Sequence, residues 1–219
     1  MRLYLSSFRL GRHPDRLVQL VRRDTASPVV AVIANALDGA DPARREQAVE
    51  EELSALRGLD LAAQEVNLLD YRSDGDDLAR DLAGYAALWV RGGNVFTLRE
   101  ALHLSGASVV VPRLLGADAL VYSGYSAAGC VLAPDLTGLE ECDDPLEVVR
   151  IHGTAARYDG LSVLDRALVP HLDSPDHPES RLLTGVAERY RRAGVSFWAL
   201  RDGEELVVDG TVADAVVLP

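Results

Sequence analysis

The residues of this chain best placed to do chemistry lie in Ala119-Leu-Val-Tyr-Ser-Gly-Tyr-Ser-Ala-Ala-Gly129, where an apolar run ends at Ser123-Gly124 and a single serine, Ser126, is followed by small residues. The pattern predicts a buried strand turning sharply into a helix, with Ser126 at the apex. Such a turn lifts a hydroxyl into a cleft. It also leaves the next backbone N–H groups unpaired at the positive end of a helix. A nucleophile and part of an oxyanion hole would then come from one segment. The hydrolase elbow reads G-x-S-x-G, and here its last position is Ala128. Serines also occupy strand–turn–helix junctions without any chemical role.

A serine nucleophile needs a base, and usually a carboxylate to orient that base. Of the five histidines, His13 lies in a polar loop, His103 on a surface-like helix and His152 in an irregular stretch. His171 follows the run 164–170 and opens a polar loop that has His177 at its centre. A base at the carboxyl end of a strand fits an open α/β sheet, where ligands gather at that edge. Asp202 follows Phe197-Trp-Ala-Leu-Arg at another strand end, although Asp202-Gly203 reads equally as a plain turn. Gly92-Gly93-Asn94 follows Leu88-Trp-Val-Arg at a third. Paired glycines let backbone N–H groups approach a substrate oxygen, so Gly93 and Ala127 could form an oxyanion hole while Asn94 caps the next helix. Cys130, one helical turn past Ser126, reads as a small buried apolar residue. No phosphate-binding motif is present. No close cluster of histidine, cysteine and carboxylate at metal-ligand spacing appears, so neither a metal nor another cofactor is expected.

These residues must be positioned by alternating strands and helices. Strands are predicted at 3–7, 29–36, 61–69, 87–90 and 119–122. Helices are predicted at 14–23, 42–57, 76–83, 95–104 and 109–115. Asp41-Pro42 supplies an N-cap and a first-turn proline, and Gly58 a stop. The alternation implies a mostly parallel central sheet flanked by helices on both faces, in a single α/β domain over 1–219. Past residue 133 the pattern weakens, and 134–154 is acidic without a clear period. A strand at 161–169, a helix at 178–192, a strand at 196–200 and two short strands around Asp209-Gly210 follow.

At 219 residues the chain suffices for one domain with a full core. The net charge of −12 argues against a nucleic-acid partner, and no run approaches the roughly 18 apolar residues of a membrane span. The sequence contains no lysine, which excludes Schiff-base chemistry and a lysine base. Two cysteines and no visible secretory signal lead to the expectation of a cytoplasmic protein.

Arg91-Gly-Gly-Asn-Val-Phe-Thr-Leu, Gly124-Tyr-Ser-Ala-Ala-Gly-Cys-Val-Leu-Ala-Pro, Val169-Pro-His-Leu-Asp and Ala199-Leu-Arg-Asp-Gly together resemble the aspartyl dipeptidase (peptidase E) family of serine peptidases. That family is related to cyanophycinase and has a class I glutamine amidotransferase-like fold. The resemblance covers most of the chain. It implies Ser126 as nucleophile, His171 as base, Asp202 as orienting acid where the family often has glutamate, and Gly93 and Ala127 as oxyanion donors. It also implies Arg181 as reader of a substrate aspartate, Asp143 (or Asp144) as partner of the substrate α-amino group, and Asn94 near the substrate. The implied partner is a short peptide beginning with aspartate, and a homodimer is compatible. Two departures stand out: Ala128 within Ser126-Ala-Ala-Gly129, and a shorter loop between His171 and Arg181. They keep open a related hydrolase of other specificity (cyanophycinase-like or β-aspartyl peptides) or a catalytically inactive binding homologue.

Overall fold

A computed structural model describes residues 1–71 and 75–219. In chain order its elements are β1 (Arg2–Ser6), α1 (Pro14–Val21), β2 (Val29–Ile33), α2 (Pro42–Arg57), β3 (Ala62–Glu65), α3 (Gly75–Leu82), β4 (Ala87–Val90), α4 (Val95–Leu104), α5 (Ala107–Gly116), β5 (Val121–Tyr125), α6 (Ala127–Cys130), α7 (Leu146–His152), β6 (Ala167–Val169), α8 (Ser180–Ala193), β7 (Phe197–Ala199), β8 (Glu205–Asp209) and β9 (Val216–Leu218). Seven strands form one sheet in the order β3-β2-β4-β5-β1-β8-β9. The first five in that order run parallel, and β8 and β9 close the edge antiparallel.

The period-two alternation of strand side chains divides the core into two faces. Leu3, Leu5, Ala31, Ile33, Leu88, Val90 and Tyr122 pack with residues of α3, α4 and α5, among them Leu78, Phe96 and Val111. Tyr4, Val30, Val32, Ala87, Trp89 and Val121 pack with Leu17, Leu20 and Leu56 of α1 and α2. Burying each large apolar side chain contributes roughly 1.5–3 kcal/mol. Strands covered on both sides therefore read as continuous apolar runs, which is the mostly parallel, helix-flanked sheet expected from the sequence. Asp41 caps α2 by accepting from the Ala43 N–H at 3.0 Å, with Pro42 at the first helical position and Gly58 as its C-cap.

Several predicted elements differ. The strand expected at 61–69 ends at Glu65, because Asn35 accepts the Leu68 N–H at 3.1 Å and donates to Asn67 at 2.9 Å, turning the chain into a 3-10 helix. The strand expected at 161–169 shrinks to β6. The N–H groups of Leu161, Ser162 and Val163 bond instead to carbonyls of Val131, Ala133 and Leu132, beneath the elbow helix. β5 runs to Tyr125, so Ser123-Gly124 lies within the strand. The segment read as irregular contains α7. β6 and β7 form a separate parallel pair rather than joining the main sheet.

Candidate active site

Strand pairing brings the predicted residues together. β4 and β5 are parallel neighbours with Val90 opposite Gly124, so the turns that follow them, carrying Gly92 and Ser126, emerge side by side. On the other side of β5, Ser6 of β1 lies opposite Tyr125, which delivers Ser7 and Phe8 to the same edge. Val169 of β6 lies opposite Ala199 of β7. The ladder extends through Leu200 N–H to Val169 O at 3.0 Å and Leu172 N–H to Leu200 O at 3.0 Å, which sets His171 beside Asp202. The site thus occupies the carboxyl ends of the parallel strands, the usual position in open α/β sheets.

Ser126 sits at φ 54°, ψ −115°. This is a left-handed strand-to-helix turn that non-glycine residues adopt only under constraint. Two glycines make room for it. A Cβ on Gly124 would fall 2.2 Å from Val90 O and 2.7 Å from the Ala128 Cβ. The Ala128 methyl therefore occupies space that Gly124 leaves empty, and the elbow keeps its geometry with alanine in place of glycine. A Cβ on Gly92 would lie 3.0 Å from the Ser126 Cβ. Ala127 is the first residue of α6, where helical geometry provides no carbonyl for its N–H. Gly93 turns at φ +153°, with Ala36 O filling the space a side chain would need.

Ser126 Oγ is 3.1 Å from His171 Nε2, and His171 Nδ1 is 2.6 Å from Asp202 Oδ1. His171 is 1% exposed. Burial holds its imidazole below the usual histidine range, and the Asp202 hydrogen bond opposes that shift in part. The ring is therefore neutral near pH 7. With Nδ1–H donating to the carboxylate, Nε2 is free to accept the serine proton. Cys130 is buried with Sγ 3.4 Å from Leu168 O, and burial pushes its thiol up. It is a packed neutral group, as read from the sequence, and both cysteines are free.

The cleft around Ser126 has a volume of about 300 Å³ and is walled by Phe8, Arg9, Arg44, Arg91, Tyr125, His177 and Glu179, among others. Arg181 is not in this wall; it is exposed in the first turn of α8, two residues past Glu179. Nor is Asp143. Its Oδ2 accepts the Val95 N–H at 2.9 Å, and burial pushes its carboxyl up to about 7. Asn94 caps α4, accepting from Phe96 N–H at 2.9 Å and donating to Asp144 O at 3.0 Å. Asp143 and Asn94 thus pin the 143–144 loop onto α4. Asp144 pairs with Arg150 at the surface. Sequence reasoning missed Ser7, Arg44 and Glu179. Ser7 ends a predicted strand whose tip the sheet rule would place here, whereas nothing in the local pattern marks Arg44.

One expectation needs correction: a histidine–carboxylate cluster does form. Ligating atoms of His171, His177 and Glu179 lie within 4.8 Å of one another. The donor set nonetheless suits a metal poorly. The two imidazoles stack with centroids 3.5 Å apart and planes at 3°, so their in-plane lone pairs do not converge on one point. Both His171 nitrogens are engaged, and His177 Nδ1 accepts the Glu179 N–H at 3.3 Å. One imidazole nitrogen and one carboxylate remain, short of the three or four ligands of a zinc site.

The model of peptidase family S51 matches residues 17–216. The chain is 28% identical over 99 residues to the uncharacterized peptidase Lin0382 of Listeria innocua serovar 6a, a match that spans 45% of this chain and 45% of that relative's length. Its fold is similar to that of a solved structure assigned as a peptidase E protein from Listeria monocytogenes EGD-e, with a TM-score of 0.78, 19% identity, and 99% and 97% of the two chains covered. It is also similar to a peptidase from an acI-B1 Actinobacterium, with a TM-score of 0.65, 15% identity, and 96% and 84% covered. At these identities the structural likeness is one of fold. Among the described residues no helix is long and apolar enough to cross a membrane.

Proposed function

Because the chain belongs to peptidase family S51, we propose that it is a serine peptidase that cleaves short peptides, dipeptides with N-terminal aspartate foremost, through an acyl-enzyme. The observation that carries this reading is the hydrogen-bonded line from Asp202 through His171 to Ser126, with Ser126 raised on a constrained turn. Ser126 Oγ attacks the first peptide carbonyl as its proton passes to His171 Nε2. The backbone N–H groups of Gly93 and Ala127 hold the oxyanion, each worth about 3–4 kcal/mol of transition-state stabilisation in enzymes of this type. Collapse expels the amine, which takes the proton from His171. A water deprotonated by His171 then releases the acyl group and restores Ser126. Asp202 keeps the imidazole in the productive tautomer.

The preference for an acidic substrate is supported by Arg44, which lines the cleft with no ion pair among the described residues, whereas Arg9 and Arg91 in the same wall face Glu51 at 3.5 Å and Glu52 at 3.4 Å; a guanidinium matches a carboxylate in a two-pronged geometry. The test is turnover of an Asp-Leu dipeptide beside dipeptides that differ only in the first residue. The aspartyl member should be cleaved fastest by the native enzyme, and none by Ser126→Ala. Undiminished turnover by Ser126→Ala would end the nucleophile assignment, and equal rates across the panel would end the aspartyl preference.

A further inference from the structure

We propose that Arg91, anchored by the buried carboxylate of Glu52, is a positioning residue: it fixes the Gly92–Gly93 peptide plane so that the Gly93 N–H faces the oxyanion that forms at Ser126. This rests on the serine-peptidase reading of the same cleft.

Glu52 lies on α2 and is 3% exposed. A carboxylate so deeply buried is costly unless it is both paired and hydrogen-bonded. Glu52 is both. Its Oε2 accepts from Trp89 Nε1 at 2.8 Å, its Oε1 accepts from the Tyr125 hydroxyl at 2.7 Å, and Arg91 Nε faces Oε1 at 3.4 Å. Burial, and then the Glu52 charge, push the Tyr125 hydroxyl up, so it stays protonated and keeps donating. Trp89 lies in β4, Arg91 directly follows that strand, and Tyr125 ends β5. One carboxylate thus ties together the residues that lead into two turns, Gly92-Gly93 and Ser126. A buried ion pair adds little stability over apolar side chains of similar volume. Stability alone therefore does not account for a charge at this place.

A second contact shows what the anchor is for. Arg91 Nη1 donates to Gly92 O at 2.7 Å. In a planar trans peptide the C=O of one residue and the N–H of the next point in opposite directions. Holding Gly92 O therefore aims the Gly93 N–H. Unheld, a plane between two glycines has few steric limits, because neither residue carries a Cβ. Among the described residues the Gly93 N–H has no hydrogen-bond partner, which leaves it for a substrate oxygen. Gly92, Gly93 and Ser126 line the same cleft. Oxyanion donors are effective because they are already aimed when charge develops. Arg91, with its charge facing Glu52 and one N–H on Gly92 O, is thereby committed to the protein rather than to the substrate.

The test is the rate at which an uncharged alkyl fluorophosphonate labels Ser126. The Oγ–P bond forms, fluoride leaves and the serine proton passes to His171, while negative charge builds on the phosphoryl oxygen. The reaction thus needs the oxyanion donors but offers no carboxylate for an arginine to read. Arg91→Met should slow labelling about 10- to 100-fold, up to the loss of a whole donor. Glu52→Gln should slow it about tenfold. The double variant should be no more than about twofold slower than Arg91→Met, because Glu52 acts through Arg91. The acid limb of the labelling rate should stay at its native pH in all three, since none of the changes touches His171. Melting temperatures well above that of the assay would establish that each variant is folded. Labelling of Arg91→Met at the native rate would overturn the inference and leave the reaction standing. Losses that multiply in the double variant would overturn the Glu52 anchor. Slowed labelling with a displaced acid limb would mean general distortion of the site and would equally overturn the inference. No labelling of the native protein would remove the serine-peptidase reading, and this inference with it.

Discussion

The Ser7 hydroxyl donates to Asp202 Oδ1 at 2.8 Å while accepting the backbone N–H of His171, also at 2.8 Å. The end of β1 thereby ties together two residues carried by the separate β6–β7 pair. Ser7 is fully buried, so removing its oxygen leaves the His171 N–H without a partner. Ser7→Ala should cost about 1–3 kcal/mol of stability and lower kcat roughly tenfold or more with a smaller change in KM, since misplacing a base acts on the chemical step. Denaturant unfolding and steady-state kinetics would check this. Native stability together with native kcat would remove Ser7 from the site's support.

Asp202→Asn should leave the fold intact but cut kcat by about 10³–10⁴, because the amide favours the wrong imidazole tautomer. The native pH profile is also constrained. Burial lowers the pKa of His171, so the base stays neutral, and kcat/KM should stay high, as pH falls through the ordinary histidine range near 6.5; activity should decline only below it. An acid limb centred above about 6.5 would contradict the assignment of His171 as a buried neutral base.

Gly92→Ala would place a methyl 3.0 Å from both the Ser126 Cβ and the Tyr125 ring. The neighbours must give way, and the elbow moves with them. The expected result is a loss of about 10²-fold in kcat/KM with at most about 1–3 kcal/mol of destabilisation. Wild-type kinetics would mean that the turn tolerates the methyl and that the close approach of the two segments does not matter.

Asp143 leads to a prediction about stability rather than rate. Folding raises its pKa from 3.8 to about 7, so the native state holds this proton more tightly than the unfolded chain. Stability is therefore lost as pH rises from about 4 to about 7. Asp143→Asn can still accept the Val95 N–H but carries no charge. It should match the native protein near pH 4 and exceed it by about 1–3 kcal/mol above pH 7. A difference that does not change with pH in urea unfolding would show that the carboxyl is not strained by burial.

Much of the positioning scaffold could be read from residue types. Continuous apolar runs such as Val29–Ile33 and Ala87–Val90 demand cover on both faces, and Asp41-Pro42 and Asn94 mark helix starts. From there the sheet rule puts the Gly92 turn and Ser126 on one edge, whereas His171 and Asp202 are carried there by the separate β6–β7 pair. Long-range features were not legible. The short β6 and β7 have the composition of any buried strand, and nothing local says that they pair only with each other. The polar pair Asn35–Asn67 ends two strands early through a contact 32 residues apart. Glu179 and Arg44 look like solvated helix charges until the fold sets them in the cleft wall. Arg181 and Asp143, implied by likeness of motif, lie outside that wall: Arg181 is exposed in the first turn of α8, and Asp143 is turned to the N–H of Val95 at the start of α4.

The most direct test of the account is reaction of the native protein with a fluorophosphonate, followed by mass mapping of the labelled peptide. An activated serine accepts one phosphonyl group, whereas an ordinary hydroxyl does not react. The account predicts a single adduct on Ser126, lost in Ser126→Ala and slowed by a factor of about 10² or more in His171→Ala. No adduct on the folded protein, or one that persists in Ser126→Ala, would contradict it.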